Sequence, residues 1–171
     1  MPHRPVLFLD VDGPLIPFGG ATAHESESSP RLVRPVGGNP LVARLDPELG
    51  PLLSALGCEL VWATTWMHEA NSSVGPALGL PALAVVDWPE PSGDRVDEWF
   101  GLHWKTRALV DWAAGQSFIW IDDEIGDGDR EWVSAHHSGR ALLHRVDPRT
   151  GLRRDDFATF VEWINSSAQQ L

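Results

Sequence analysis

Three apolar runs in this chain stop abruptly at polar residues, and that recurrence limits the architecture more than any other feature. Pro5 to Leu9 meets Asp10, Cys58 to Ala63 meets Thr64 and Thr65, and Ser117 to Ile121 meets Asp122 and Asp123. Short apolar runs of this kind are expected as strands buried on both faces, as in a parallel sheet. Helical signals alternate with them. Asp46-Pro47-Glu48 is a helix start, with Asp as cap and Pro at the first position, and Leu49, Leu52, Leu53 and Leu56 give that helix an apolar stripe ending at Gly57. Further helices are predicted from Glu69 to Leu78, Lys105 to Ala114, Arg130 to His137 and Asp155 to Ile164. Leu83 to Val86 and Ala141 to His144 complete a set of about five strands, with a polar loop from Trp88 to Gly101. Strand and helix in alternation predict a doubly wound parallel α/β sheet in a single domain spanning residues 1–171.

In an open parallel sheet, ligands bind at the carboxyl ends of the strands. The polar residues named above all stand at such ends. Asp10 and Asp12 lie on the same face of the chain because the strand period is two. Two carboxylates side by side are costly to bury unless a cation or a proton reconciles them. Lys105 is the only lysine against twelve arginines, and it opens a predicted helix. A compact ammonium fits between carboxylates and a phosphate where a guanidinium fork does not.

The net charge of −11 argues against a non-specific nucleic-acid coat or an anionic membrane surface as partner. The apolar run at the start is too short for a signal peptide, no stretch is long enough to span a membrane, and Cys58 is the only cysteine. A cytoplasmic location is therefore expected. Residues 14–40, rich in Pro, Gly and Ser, read as a loop or small flap over the site, with plain disorder around His24 to Pro30 as the alternative. The acidic run Glu124, Asp127, Asp129 and Glu131 reads as a solvated loop and helix start, and His136-His137 as a surface pair. Arg149, Arg153 and Arg154 read as ordinary charged surface.

The ordered set of motifs resembles the haloacid dehalogenase-like (HAD-like) phosphohydrolase superfamily. Phe8-Leu9-Asp10-Val11-Asp12-Gly13 is similar to its first motif, Leu60-Val61-Trp62-Ala63-Thr64 to the second, Lys105 to the third and Ile119-Trp120-Ile121-Asp122-Asp123 to the fourth. The short form, with Ala-Thr-Thr-Trp after the second run and Asp-Asp-Glu after the fourth, resembles the compact branch found as the HAD domain of Swiss Army Knife RNA repair proteins. Pro14 departs from the pattern, in which Thr or Val follows the glycine.

The resemblance implies a Rossmann-like fold with minimal or no cap and a phosphatase acting on a phosphomonoester. Asp10 is then the nucleophile that forms an aspartyl-phosphate and Asp12 the general acid and base. Thr64 donates to a phosphoryl oxygen, with Thr65 in its place if the strand runs one residue further. Lys105 offsets charge and orients Asp10. Mg²⁺ is implied, held by the Asp10 side chain, the Asp12 carbonyl and Asp123, with Asp122 close by. His68 is a weaker candidate for substrate contact. The expected partner is a phosphorylated small molecule or nucleotide. Receiver domains of signalling systems also combine these residue types, but there the lysine follows the last acid, whereas Lys105 precedes Asp122. A phospho-accepting switch or a non-catalytic binding module is the alternative.

Overall fold

In the computed structural model, which describes residues 4–19, 39–90 and 96–168, five strands form one parallel sheet. They are β1 (Val6–Leu9), β2 (Glu59–Trp62), β3 (Ala84–Val85), β4 (Phe118–Asp122) and β5 (Ala141–Arg145), ordered β3-β2-β1-β4-β5. The chain thus moves outward from β1 on one side, then crosses back to place β4 on the other. That reversal between β1 and β4 is the switch point at which an α/β sheet opens a crevice. Their register pairs Leu9 with Ile121, so Asp10 stands abreast of Asp122, and the Asp10 N–H donates to the Ile121 carbonyl at 3.2 Å.

Side chains alternate across the sheet and build two cores. Leu7, Leu9, Trp62, Ile119 and Ile121 pack against α1 (Leu49–Ala55) and α6 (Arg154–Ala168) through Leu49, Leu53, Phe157 and Phe160. Val6, Phe8, Val61, Phe118 and Trp120 pack on the other face against Leu109, Val110 and Ala113 of α4 (Thr106–Ala113) and Val133 of α5 (Asp127–His136). The central strands are covered on both sides, which is why they carry unbroken apolar runs. No helix among the described residues is long and apolar enough to cross a membrane.

Several sequence expectations need correction. The predicted helix from Glu69 to Leu78 is a π-helical turn, Ala70–Val74, running into the short α2 (Gly75–Leu78). Pro76 has no N–H to give the carbonyl four residues back, and the Gly75 N–H reaches five residues back to Ala70 instead. The polar loop expected from Trp88 to Gly101 contains α3 (Val96–Trp99), with Asp97 and Glu98 at its positive end and Asp97 bidentate to Arg107. The third strand is only two residues long.

The helix expected at Arg130 begins at Asp127, because Asp129 is not solvated. It is 1% exposed and its carboxylate accepts the Gly126 N–H at 2.8 Å. His137, expected at the surface, is buried, with Nε2 3.0 Å from the Gln116 carbonyl. Of the flap expected over 14–40, residues 20–38 lie outside the described residues, and Pro40–Arg44 forms a 3-10 turn. Pro14 sits in a turn that needs no N–H from it: Leu15 and Ile16 both donate to the Val11 carbonyl, and the Pro14 carbonyl accepts from Leu152.

Candidate active site

The site begins where β1 ends. Asp10 is 7% exposed and accepts the neighbouring Val11 N–H on Oδ1 at 2.9 Å. The chain then turns at Gly13, whose φ of +98° is one that residues with a Cβ rarely adopt. A Cβ there would lie 2.7 Å from Cγ of Asp123, so the missing side chain also lets the loop after β4 close onto the loop after β1. Asp12 is half-buried, and its Oδ2 accepts the indole N–H of Trp66 at 3.1 Å.

From β2 come Thr64, fully buried, and Thr65, exposed. Thr64 Oγ1 accepts the Trp66 N–H at 3.1 Å, and the Thr64 carbonyl accepts the indole N–H of Trp88 at 3.1 Å. Two tryptophans thus fix the end of this strand. They are part of the answer to a composition of nine tryptophans and no tyrosine: an indole supplies bulk and one donor, with no acceptor to satisfy.

Lys105 stands immediately before α4 and is 3% exposed. Its Nζ lies 3.2 Å from Asp10 Oδ1, 2.8 Å from Asp122 Oδ2 and 2.9 Å from the Ala63 carbonyl. An ammonium has three N–H bonds, so these partners use all of them. The lysine therefore acts on anything bound in front of it by its charge and by holding β1, β2 and β4 together, not by a fourth hydrogen bond. The rings of Trp88 and Trp104 lie 5.9 and 5.6 Å from the same ammonium.

Asp122 is fully buried and engaged at both oxygens, Oδ1 accepting the Glu124 N–H at 3.0 Å. Asp123, one residue further, is turned to the cleft, and Arg145 Nε donates to its carbonyl at 3.1 Å. Carboxylate oxygens of Asp10, Asp122 and Asp123 lie within 4.8 Å of one another. Burial pushes the Asp10 carboxyl up to about 7, against the pull of Lys105 and with a further push from Asp122. Burial, then Asp122, pushes Asp123 up to about 6. For Lys105 burial acts downward, but Asp10 and Asp122 more than reverse it and hold the ammonium above the ordinary lysine range. One lysine does not fully neutralise three crowded acids. An all-oxygen set of this kind, with room made for Asp123 by Gly13, fits a hard divalent cation.

A cleft of about 180 Å³ opens over this floor, lined by Asp10, Asp12, Phe18, Thr65, Trp104, Lys105, Asp123 and Glu124. Of the residues singled out in the sequence, Asp10, Asp12, Thr65, Lys105 and Asp123 share that cleft, while Thr64 and Asp122 are buried beside it. His68 is not among its lining residues, and its ring is exposed 3.7 Å from Asp87.

Sequence reasoning missed four participants: Phe18, Trp66, Trp104 and His103. The His103 side chain is 9% exposed, its Nδ1 accepts the Lys105 N–H at 3.2 Å, and its Nε2 lies 2.8 Å from Glu124 Oε2. With Nδ1 accepting, the proton of the neutral ring belongs on Nε2, facing Glu124. The only signal in the sequence was the position of His103 two residues before the lone lysine. Asp129 supports the same segment: Oδ1 accepts the His103 N–H at 2.7 Å and the Thr106 hydroxyl at 2.6 Å.

Comparison with protein families gives a match over residues 6–157 to the family described as the HAD domain in Swiss Army Knife RNA repair proteins. Comparisons with curated proteins and with solved structures found no match.

Proposed function

The chain belongs to the family of HAD domains in Swiss Army Knife RNA repair proteins, and from that premise we propose that it is a Mg²⁺-dependent phosphatase that hydrolyses a phosphomonoester through an aspartyl-phosphate. Membership supports HAD-type phosphohydrolase chemistry in general. The observation that carries the finer reading is the ammonium of Lys105 joined to both Asp10 and Asp122 at the floor of a cleft that Asp12 and Asp123 also line.

In the first step an Asp10 oxygen attacks phosphorus. The bond from phosphorus to the leaving oxygen breaks, its electron pair goes to that oxygen, and Asp12 delivers a proton to it. In the second step Asp12 takes a proton from water, whose oxygen bonds to phosphorus and frees Asp10 and phosphate. Trp66 holds Asp12 in place for both transfers. Lys105 keeps Asp10 oriented and offsets the charge gathering on the phosphoryl oxygens. Thr64, buried beside the cleft with its hydroxyl oxygen accepting the Trp66 N–H, holds the strand end in place. Thr65, at the same strand end and lining the cleft, donates to a phosphoryl oxygen. Mg²⁺, when bound by Asp10, Asp123 and the Asp12 carbonyl with Asp122 adjacent, supplies positive charge to the phosphoryl oxygens.

The test is phosphate release from an aryl phosphate with Mg²⁺ present, in wild type and in Asp10→Asn. Turnover that disappears in the variant, roughly a thousandfold or more, supports Asp10 as nucleophile. Persistent turnover removes it from that role. A stable phosphoprotein without turnover in the wild type favours a receiver-like switch.

A further inference from the structure

The acidic floor of the cleft has two aromatic walls. Phe18 is 44% exposed and Trp104 49%, and both line the cleft with Asp10, Asp12, Lys105 and Asp123. Neither belongs to the buried cores of the sheet. Large apolar rings left half in water around a charged site mark a binding surface more readily than a structural one.

The Trp104 ring is backed by other rings, and Phe18 is placed through its backbone. Trp104 meets Trp88 edge-on with centroids 4.8 Å apart, and Trp88 is itself anchored to the Thr64 carbonyl. His103 flanks Trp104 at 5.5 Å. Phe18 is placed by its own N–H, which donates to the Pro148 carbonyl at 2.7 Å. Its ring also lines a second cleft of about 600 Å³ beside Arg145, Pro148 and Arg149, and so stands between the two.

The catalytic cleft, at about 180 Å³, is smaller than the roughly 300–1,000 Å³ of sites that enclose a drug-sized ligand. It suits a phosphoryl group and the first ring attached to it, with anything larger passing over Phe18 into the neighbouring cleft.

We propose that Phe18 and Trp104 form a leaving-group subsite for a planar ring, so that the preferred substrate is a phosphomonoester on an aromatic or heterocyclic group. This rests on the phosphatase reading and deepens it. Offset or edge-on ring contacts favour a flat aromatic group over an aliphatic one of equal size by more than buried area alone.

Calorimetric titration of the full chain with benzylphosphonate and with methylphosphonate, in Mg²⁺ buffer, tests the subsite without turnover. Benzylphosphonate binds more tightly to the wild type, and Trp104→Ala and Phe18→Ala each lower the ratio of the two affinities by roughly fivefold to tenfold. Trp104→Phe retains most of the ratio because it retains a ring. Equal affinities in the wild type, no binding of either phosphonate, or ratios within about twofold of wild type in both alanine variants overturn the subsite. Ring-selective binding with no hydrolysis of any phosphomonoester defeats the phosphatase reading alone. Hydrolysis with an unaltered ratio in the variants defeats the subsite alone.

Discussion

The acid pairs after β1 and β4 are built from the same residue and treated differently. After β1, Val11 separates Asp10 from Asp12; Asp10 is joined to Lys105, and Asp12 is half-buried and accepts the single indole donor of Trp66. After β4 the acids are adjacent: Asp122 closes the strand, bonded at both oxygens, and Asp123 faces the cleft. Each pair therefore contains one carboxylate held by the lysine and one left to work at the opening. The difference lies in the carboxylate that the lysine does not hold. After β1 it is one positioned by a neutral donor, fit for handling protons; after β4 it is one pressed against other acids, fit for holding a cation.

The sharpest way to break this comparison is to neutralise the outward acid of the first pair. Asp12→Asn should lower steady-state turnover of an aryl phosphate by roughly a hundredfold to ten-thousandfold. It should also let phosphorylated protein accumulate, read by mass spectrometry after rapid quenching, since an aryl leaving group departs with little help from a proton, whereas the water of the second step needs Asp12 as base. Loss of turnover without trapped phosphoprotein would mean that Asp12 and Asp10 are not divided in this way.

Removing the shared cation is next in size. Lys105→Met leaves Asp10 and Asp122 buried without their partner, and urea unfolding should show a loss of about 3–5 kcal/mol at neutral pH. The loss should shrink in acid, where the carboxyls take up protons.

The acids themselves set a pH dependence. An acid whose folded-state value is raised binds protons that the unfolded chain has released, so its stabilising contribution is present below the unfolded value and lost as pH rises through the folded one. For Asp10 that window runs from 3.8 to about 7, and for Asp123 from 3.8 to about 6. Without a divalent cation, the melting temperature should therefore fall as pH rises across this range. Mg²⁺ should raise it more at pH 8 than at pH 5. A Mg²⁺ effect independent of pH would separate the cation from these carboxylates.

The smallest expected change tests the indole. Trp66→Phe removes the donor to Asp12 and should cost about 1 kcal/mol in the transition state, seen as a several-fold fall in turnover with the melting curve little moved. A fall as large as that of Asp12→Asn would give Trp66 a larger part than positioning.

Much of this was legible in the sequence because it follows from strands. Apolar runs ending at Asp10, Thr64 and Asp122 place their polar residues along one sheet edge as soon as the strands are parallel. The boundary errors arose where hydrogen bonds outside the run decide the end. Asp129 looked like one more acid in an acidic run, but its bonds to Gly126, His103 and Thr106 bury it and start α5 early. Pro76 divided a helix that periodicity drew as continuous. The indole of Trp66 and the ring of His103 reach the site across 54 and 21 residues of sequence, to Asp12 and Glu124. Neither spacing nor residue type announces contacts of that range.

Asp129 has one more consequence. Its two oxygens fasten the backbone at His103, the first turn of α4 and the entry to α5 to a single point. The cation in front of α4 and the acidic rim ahead of α5 then belong to one stiff jaw. Any shift of that acidic rim therefore carries the lysine with it.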